Sequence, residues 1–298
     1  MRFEDVDCLL CGAGRTRGIG KRRAPDRNPG LETTIVECLS CGLIYPNPMP
    51  RFTDSDIQNN FDNHEEYFPA QEGLRFHEFK KAILEIEKLH PEKGRLLDVG
   101  CGRGGFLHVA GEMGWKATGQ DISRSFVEYG RRKLGVDAMS GELEDLGFPE
   151  ESFDAVSLVS VIQCLQDPLK TLLVINRLLK KAGVLYIETT NEDALLFRIA
   201  DFFKSVMSRE RVTTHLSPLF PAYQLYGFNP RSLSKVLESA GFKICAFNIC
   251  GTSGGGSVKG RGAWNFMLNL IRQVIIFFGG SMGMGHLIIC LAKKEKSI

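Results

Sequence analysis

The pattern of hydrophobic and polar positions changes along this chain. Over 75–90, apolar side chains recur at three- and four-residue steps, which predicts an amphipathic helix. From residue 95 onward, short apolar runs alternate with helical patterns, and this alternation predicts βαβ units. The predicted strands are 95–99, 116–120, 136–140, 153–159, 183–188, 242–250 and 286–292. We therefore expect an α/β fold, doubly wound around a mostly parallel seven-stranded sheet.

A glycine-rich turn joins the first predicted strand to the helix after it. The turn carries Asp98, Gly100, Gly102 and Gly104 at every second position. Residues without a Cβ let the backbone bend tightly and let a ligand approach, while the helix N-terminus offers unpaired N–H groups. Gly100, Gly102 and Gly105 also match the dinucleotide fingerprint, so an NAD-dependent oxidoreductase is an alternative. Asp98 argues against it, because a carboxylate there repels a pyrophosphate but not an ammonium or a sulfonium.

The second predicted strand also leads into a carboxylate. Asp121 lies 21 positions after Gly100, where an acidic side chain is placed to accept hydrogen bonds from ribose hydroxyls. Ile122 follows it and would offer an apolar edge to a base. The helix after this strand is expected to begin at Ser123 or Arg124, with Ser123 as the N-cap candidate.

The segments DVGCGRG and GWKATGQDIS contain these residues, and they closely resemble two motifs of class I S-adenosylmethionine (SAM) dependent methyltransferases. These are motif I and the acidic motif that follows it. The resemblance implies SAM as cofactor, Glu142 as the side chain that holds the adenine amino group, and Leu143 as a backbone N–H donor to the ring. The cofactor-binding residues expected from motifs and resemblance are Asp98, Gly100, Cys101, Gly102, Gly104, Asp121, Ile122, Glu142 and Leu143.

Two C-x-x-C-G units stand near the N-terminus. They supply Cys8, Cys11, Cys38 and Cys41, and 26 residues separate the two pairs. Two residues between cysteines let both sulfurs reach one ion, and four thiolates suit a structural Zn²⁺ without an open position. A redox dithiol is the alternative, but it needs only one pair and leaves the other unexplained. A zinc pair followed by Pro-rich sequence also resembles an arrangement upstream of many bacterial methyltransferase domains.

These patterns predict a division of the chain into three parts. We expect a zinc-binding module over 1–50, a linker and cofactor-covering helix over 51–94, and a methyltransferase domain over 95–298 with insertions at 192–229 and 251–285. In the family this resembles, the covering helix lies over the cofactor. The aromatic side chains of Tyr67, Phe68 and Phe76 would then cover the cofactor. Alternatively, these three side chains belong to the hydrophobic core.

The sequence gives weaker signals for the catalytic residues than for the cofactor-binding residues. Many members of the family it resembles carry a Glu-His pair after the fourth strand, where this chain has Gln163-Cys164. Neither residue is a ready general base. His215, in the insertion beyond the fifth strand, is the best candidate for a general base, although a single loop histidine is commonly incidental.

Composition limits the partners and the compartment. The net charge of +2 gives no support for a nucleic-acid binder, and the basic run from Arg15 to Arg27 is expected to be a solvated loop without aromatic residues. Nine cysteines without an apolar segment after Met1 argue for reduced thiols in the cytoplasm. No apolar run reaches the ~18 residues that a membrane span needs.

Two further helices, 194–207 and 263–278, have unusually wide apolar faces. With Lys259, Arg261, Trp264, Phe277 and Phe278, they suggest peripheral contact with the inner face of a membrane. Alternatively the helices pack on each other or across a homodimer. The expected function is methyl transfer from SAM to a small-molecule or lipid-linked acceptor, such as a sugar or polysaccharide precursor or a quinone-like molecule. The rivals are an NAD-dependent oxidoreductase and a non-catalytic zinc-containing binding protein.

Overall fold

The structure is a computed structural model of the chain. It describes residues 2–22, 33–61, 72–207, 213–216, 224–251 and 274–295. Several residues of interest in the sequence lie outside these ranges. They are Tyr67, Phe68, Lys259, Arg261, Trp264 and the remainder of 263–273.

The described elements alternate between strands and helices once the N-terminal strands are passed. The strands are β1 (Arg2–Glu4), β2 (Thr16–Arg22), β3 (Thr33–Cys38), β4 (Ile44–Pro46), β5 (Met49–Arg51), β6 (Arg95–Val99), β7 (Lys116–Asp121), β8 (Ala138–Ser140), β9 (Phe153–Val159), β10 (Leu179–Thr190), β11 (Phe242–Cys250) and β12 (Leu287–Lys294). The helices are α1 (Asp54–Phe61), α2 (Glu72–Leu89), α3 (Gly105–Glu112), α4 (Arg124–Leu134), α5 (Pro168–Leu178), α6 (Leu195–Met207) and α7 (Pro230–Ser239). Residues 274–281 are also helical.

The main sheet has seven strands in the order β11-β12-β10-β9-β6-β7-β8. β6, β7, β8, β9 and β10 pair in parallel, whereas β12 runs antiparallel to β10 and β11. The chain moves outward from β6 through β7 to β8 and then returns to the other side of β6 as β9. Ligands of such sheets bind at the carboxyl edge where the direction of winding reverses. The fold class predicted from the sequence is therefore confirmed, and the expected ligand crevice lies between β6 and β9.

Both faces of the sheet are covered, because residues on a strand point alternately to opposite faces. On one face, Leu96 and Tyr186 pack with Ile83 of α2 and Phe106 of α3. On the other face lies a larger cluster that takes in residues of β6, β9 and β10, of α5 and α7, and of the N-terminal strands.

The N-terminal strands form two small antiparallel sheets, β1-β5 and β2-β3-β4. Tyr45 and Met49 of these strands, with Leu43 just before β4, belong to the same buried apolar cluster as Phe228 and Leu233. The segment over 1–50 therefore packs directly against the large domain. The boundary at residue 50 stays a prediction.

Several local expectations were wrong. The basic run was expected to be a loop, but Thr16–Arg22 is a strand because it pairs with β3, and there Arg17 meets Glu37. The prolines at 46, 48 and 50 predict an extended linker after Cys41, but this segment contributes β4 and β5. The sequence over 169–180 predicts a helix, but the observed helix ends at Leu178, because Leu179 takes an extended conformation and pairs with Phe153.

Within the residues that the structure describes, no helix is both long enough and apolar enough to cross a membrane.

Candidate functional site

The glycine turn lies at the carboxyl end of β6, at the crevice between β6 and β9. Gly100, Gly102 and Gly104 adopt φ of 69°, 54° and 80°, a left-handed backbone that favours glycine. A Cβ on Gly100 would lie 2.5 Å from a methyl carbon of Val161, the second residue after β9. The turn therefore needs glycine both for its conformation and for close contact with the neighbouring strand end.

Two buried carboxylates line this turn. Asp98 is 2% exposed, and its Oδ1 accepts a hydrogen bond from Ser157 Oγ at 2.7 Å. Asp121 accepts one backbone N–H on each oxygen, from Gly102 and Ser123, both at 2.8 Å. Burial raises the pKa of Asp98 to about 7 and that of Asp121 to about 6, against the hydrogen bonds that lower them. The arrangement favours a cationic or hydroxyl-bearing ligand, because either would compensate these desolvated groups.

Sequence reasoning missed Gln120, the residue before Asp121. Its Nε2 donates to the carbonyl of Gly141 at 2.6 Å, and its Oε1 accepts the N–H of Gly100 at 3.3 Å. The side chain therefore ties the glycine turn to the loop after β8. An amide inside an apolar strand is a weak sequence signal, and nothing local shows where its two ends reach.

The second half of the predicted cofactor site surrounds the ends of β7 and β8. Ile122 is half-buried, and its carbonyl accepts a hydrogen bond from Gln58 of α1 at 2.7 Å. Leu143 is buried at the start of a short 3₁₀ helix, whose N-cap is Glu142. Burial, reinforced by the charges of Glu144 and Asp145, raises the pKa of Glu142. Gln58 is a second residue that sequence reasoning missed, because no local pattern distinguishes it.

Helix α2 lies against the start of α3. A Cβ on Gly105 would lie 3.1 Å from the ring of Phe79 and 3.4 Å from that of Phe76. Arg75 stacks over Phe79 at 5.0 Å from the ring centroid. Phe76 therefore packs beside the glycine turn. This position is consistent with both expectations, that Phe76 covers the cofactor and that it belongs to the hydrophobic core.

Cys101 points away from the crevice. It is buried, and a Cβ on Gly119 of β7 would lie 2.7 Å from its Sγ. Burial, with the charges of Asp121 and Asp98, raises the pKa of its thiol well above the usual value. Cys101 would therefore contribute to a ligand site through its backbone.

The Gln163-Cys164 pair lies in a short 3₁₀ helix after β9. Gln163 is buried, and its Oε1 accepts a hydrogen bond from Thr189 Oγ1 at 3.0 Å. Its backbone carbonyl accepts the N–H groups of Leu225 and Tyr226. Through these hydrogen bonds, Gln163 connects the end of the insertion, at Leu225 and Tyr226, to Thr189 on β10.

His215 lies between two carboxylates. Its Nδ1 is 2.7 Å from Glu192 Oε2, and its Nε2 is 3.3 Å from Asp201 Oδ2. Burial lowers the pKa of His215, but the hydrogen bonds to Asp201 and Glu192 outweigh it and raise this pKa to about 9. At neutral pH the ring is an imidazolium with both nitrogens engaged. This geometry does not support the prediction that His215 is a general base, because a base needs a free lone pair.

The insertion also presents aromatic side chains to solvent. On α6 Phe202 is 66% exposed, and on the helical segment 274–281 Phe277 is 73% exposed. The two elements are joined where Leu195 N donates to Met284 O at 3.0 Å. We use the name aromatic surface for two pairs of adjacent phenylalanines and a methionine, all exposed on α6 or on the segment 274–282: Phe202, Phe203, Phe277, Phe278 and Met282.

The four predicted metal ligands come together. Their Sγ atoms all lie within 4.8 Å of one another, with Cys8 and Cys41 at 3.5 Å and Cys11 and Cys38 at 3.6 Å. Tetrahedral zinc with Zn–S bonds of ~2.3 Å implies sulfurs ~3.8 Å apart, so the cluster fits one Zn²⁺. A hydrogen bond from the Cys8 thiol lowers the pKa of Cys41 to about 5. The four thiols fit a closed structural zinc site, and zinc held there would brace the loops that carry them.

The second cysteine loop is bound directly by the end of the insertion and the first turn of α7. Asn229 Nδ2 donates to the carbonyl of Gly42 at 3.2 Å, and Arg231 donates to the carbonyl of Ser40 at 2.6 Å. Ile44 and Gly227 exchange two backbone hydrogen bonds, of 3.1 and 2.7 Å. The metal centre and the insertion are thus in contact, which no local sequence pattern indicated.

Comparison with known proteins agrees with this geometry. Residues 71–246 match a family described as a methyltransferase domain. A ubiquinone biosynthesis O-methyltransferase of Xanthomonas axonopodis pv. citri is 28% identical over 163 residues, covering 53% of this chain and 66% of that protein. The equivalent protein of Xanthomonas campestris pv. campestris strain B100 is 31% identical over 112 residues, covering 36% of this chain and 47% of that protein. This chain therefore spans less than two thirds of the length of either relative.

A solved SAM-dependent methyltransferase of Archaeoglobus fulgidus has the same fold. It superposes with a TM-score of 0.54 at 19% identity, covering 78% of this chain and 98% of that one. The family match extends over more than half of the 298 residues, so the chain belongs to the methyltransferase-domain family. The fold, the glycine turn and its two carboxylates are those expected of a SAM-dependent methyltransferase, in place of the NAD-dependent alternative.

Proposed function

We propose that this protein transfers a methyl group from SAM to a hydroxyl of an apolar, quinone-like acceptor at a membrane surface. The observation that carries the acceptor class is the aromatic surface, which lies on α6, the helix that follows β10, and on the segment 274–282. In this fold ligands bind outside the carboxyl ends of the strands. Large exposed apolar patches mark binding surfaces on soluble proteins. The names of the quinone-pathway relatives point in the same direction.

In this proposal the cofactor-facing residues bind and orient SAM. When bound, SAM supplies an electrophilic methyl group on a sulfonium. Asp121 would accept hydrogen bonds from the ribose hydroxyls, and the backbone of Gly100, Cys101, Gly102 and Gly104 would border the methionine part. Ile122, Leu143 and Glu142 would surround the adenine, and the carboxylate of Asp98 would favour the positive charges of the ligand. Most of the rate would come from alignment of the reactants and exclusion of water.

The aromatic surface would hold an acceptor that is dissolved in a bilayer. Aromatic side chains suit the membrane interface, and Phe277-Phe278 lie at the end of the predicted helix 263–278. A lipid-linked sugar is the second candidate acceptor, because it shares the lipid tail. In the alternative for this surface, the two helices pack across a homodimer and do not contact a membrane. In the alternative for the function, the protein is a non-catalytic zinc-containing binding protein and has no acceptor.

A methyl-transfer screen tests the proposal. The protein is incubated with SAM and one of three probes: 4-nitrocatechol, a farnesylated catechol in anionic vesicles, or a nucleotide-linked hexose. Mass spectrometry detects the methylated product. We expect both catechols to be methylated, the farnesylated one with the lower KM. Methylation of the hexose alone would replace the acceptor class, and SAM binding without methylation of any probe would favour the non-catalytic alternative.

Co-sedimentation with anionic vesicles tests the surface separately. We expect binding that weakens when Phe277 and Phe278 become Ser. A dimer in solution that does not sediment with vesicles would assign the surface to self-association.

A further inference from the structure

The carboxyl ends of β9 and β10 meet in an arrangement that the family match does not account for. Ser160, directly after β9, has a left-handed backbone with φ of 60° although it is not glycine. Its N–H donates to the backbone carbonyl of Glu188 at 2.8 Å, and its hydroxyl lies 3.4 Å from Glu188 Oε1. Non-glycine residues in this region carry strain and cluster at functional sites. The strained residue thus brings its hydroxyl to one carboxylate.

This pair borders the glycine turn. Val161, the neighbour of Ser160, contacts Gly100 so closely that a Cβ there would lie 2.5 Å from its methyl carbon. Ser160 is exposed, and the Glu188 side chain is 15% exposed. The carboxylate is therefore partly exposed at the carboxyl ends of β9 and β10, beside the residue that contacts the glycine turn.

The charges around Glu188 come from three elements. Arg75 Nη2 of α2 lies 3.6 Å away, and Glu78 of α2 adds a negative charge. Tyr186 on β10 forms a hydrogen bond with Glu188. The negative charge of Glu188 also raises the pKa of Cys250 on β11. Burial is the largest influence and raises the pKa of Glu188, whereas Arg75 lowers it. A carboxylate with a raised pKa in a cleft has the property that a general base requires.

The other candidates for this task are already engaged. His215 holds its proton between Glu192 and Asp201. Gln163 has no basic group and bonds to Thr189. Asp121 receives two backbone N–H groups. Glu188 also has partners, the Ser160 hydroxyl and Arg75, but it is a carboxylate that keeps some exposure and whose pKa burial raises.

We propose that Glu188 accepts the proton that a hydroxyl acceptor loses during methyl transfer, with Ser160 as its positioning residue. This inference rests on the proposed function. In the step, the acceptor oxygen forms a bond to the methyl carbon while the carbon–sulfur bond breaks. The electron pair of that bond remains on sulfur, and the hydroxyl proton moves to a carboxylate oxygen of Glu188.

The test compares wild type with Glu188→Gln, Glu188→Asp and Glu78→Gln. Glu78 is the matched control, because it also faces Arg75, at 3.9 Å, but is half exposed on the surface of α2. Catechol, whose hydroxyls stay protonated at neutral pH, is the substrate for kcat, and 4-nitrocatechol, whose colour reports its ionisation, is the probe for the bound pKa. SAM is saturating so that Asp98 and Asp121 stay ionised. Three quantities are measured: kcat across pH, the Kd of SAM by calorimetry, and the apparent pKa of the probe bound with S-adenosylhomocysteine.

We expect Glu188→Gln to lower kcat about 100-fold or more and to remove the acidic limb of the kcat profile. The Kd of SAM should change less than about threefold, and the pKa of the bound probe should shift by about one unit or more. Glu188→Asp should restore part of the rate. Glu78→Gln should keep the acidic limb, shifted slightly to lower pH because the charge of Glu78 helps to raise the pKa of Glu188. The inference is overturned if Glu188→Gln keeps the acidic limb, or weakens SAM binding as much as it lowers kcat/KM. An equal loss of SAM binding would mean that Glu188 acts only by positioning Arg75. Wild-type methylation of the probe tests the proposed function, so the two failures are distinguishable.

Discussion

Two regions of the molecule are built from different kinds of contact. One is the glycine turn, which we call the cofactor side. The other is the junction of the insertion with the cysteine loops, which we call the acceptor side because the proposed function places the acceptor at the insertion. On the cofactor side, Gly102 N and Asp121 are 19 positions apart, and Gly100 N and Gln120 are 20 apart. On the acceptor side, Asn229 reaches Gly42 across 187 positions, and Arg231 reaches Ser40 across 191. Closing a longer loop costs more chain entropy, so distant contacts need stronger support. Zinc held by the four cysteines would support the loops, and the buried ion pairs of His215 support the insertion.

The two sides should therefore respond separately to perturbation. The cofactor side is one βαβ unit with its own backbone hydrogen bonds, whereas the insertion depends on the N-terminal cysteine loops. A change that loosens one side should leave the other intact, and loss of the metal should have the largest effect.

Loss of zinc should loosen the acceptor side and spare the cofactor side. Structural zinc is worth about 10–16 kcal/mol in small modules, so Cys38→Ser with Cys41→Ser should open the second cysteine loop. The N–H of Gly227, which donates to Ile44 O, should then exchange with solvent at least about tenfold faster. The N–H of Gly102, which donates to Asp121, serves as the internal control. Hydrogen exchange by NMR measures both, and a Gly227 amide that stays protected in the zinc-free protein would contradict the coupling.

Removal of the imidazolium should also affect the acceptor side. His215→Gln leaves Glu192 and Asp201 without their cation, and breaking a buried ion pair costs about 3–5 kcal/mol. Denaturant unfolding should show this loss, while the Kd of SAM should stay within about twofold. Because the pKa of His215 is raised from 6.5 to about 9, its contribution is fully present below pH 6.5 and is lost as the pH rises through 9. Equal stability of the variant and wild type at pH 6 would refute the ionic role.

On the cofactor side, a methyl group at Gly100 should abolish most binding. In Gly100→Ala the new Cβ meets Val161 at a positive φ, which costs about 2–6 kcal/mol of strain and overlap. The Kd of SAM should therefore rise at least about 30-fold. Gly111→Ala is the matched control, because nothing lies within 4 Å of its added Cβ and alanine favours a helix by about 1 kcal/mol. Similar SAM affinity in the two variants would mean that the turn does not border the ligand.

The smallest effect concerns pH. The pKa of Asp98 is raised to about 7 in the free protein, and a cationic ligand favours its ionised form. The Kd of SAM should therefore be constant above pH 7 and rise up to about tenfold for each unit below it. Ser157→Ala removes the hydrogen bond that lowers the pKa of Asp98 and should move this transition to higher pH. Calorimetry between pH 5.5 and 8.5 measures it, and a flat profile would show that Asp98 does not titrate with binding.

Local periodicity was enough to predict most of the sheet. The strands expected over 153–159 and 242–250 have the observed bounds, and Ser123 caps α4 as expected. The cysteine spacing likewise predicted the cluster, because two residues between cysteines fix the approach of the sulfurs. Each of these features depends on residues that are close in sequence.

The partners of the predicted residues could not be read in this way. His215 was selected as a lone imidazole, and only the fold places Glu192 and Asp201 on its two nitrogens. Residue 180 was assigned to a helix, because nothing local shows that Leu179 pairs with Phe153. Glu188 carried the same signal as Asp98 and Asp121, a carboxylate ending an apolar strand, but its neighbour Ser160 comes from a different strand.

The most direct test of the cofactor site is a calorimetric titration of Asp121→Ala with SAM. Asp121 is buried beside the glycine turn, and loss of a charge-assisted ribose contact should cost about 1.5–3 kcal/mol. We expect the Kd of SAM to rise about 10- to 100-fold, with unchanged hydrogen exchange at Gly227 on the acceptor side. A variant that binds SAM as tightly as wild type would contradict the assignment of this turn as the cofactor site.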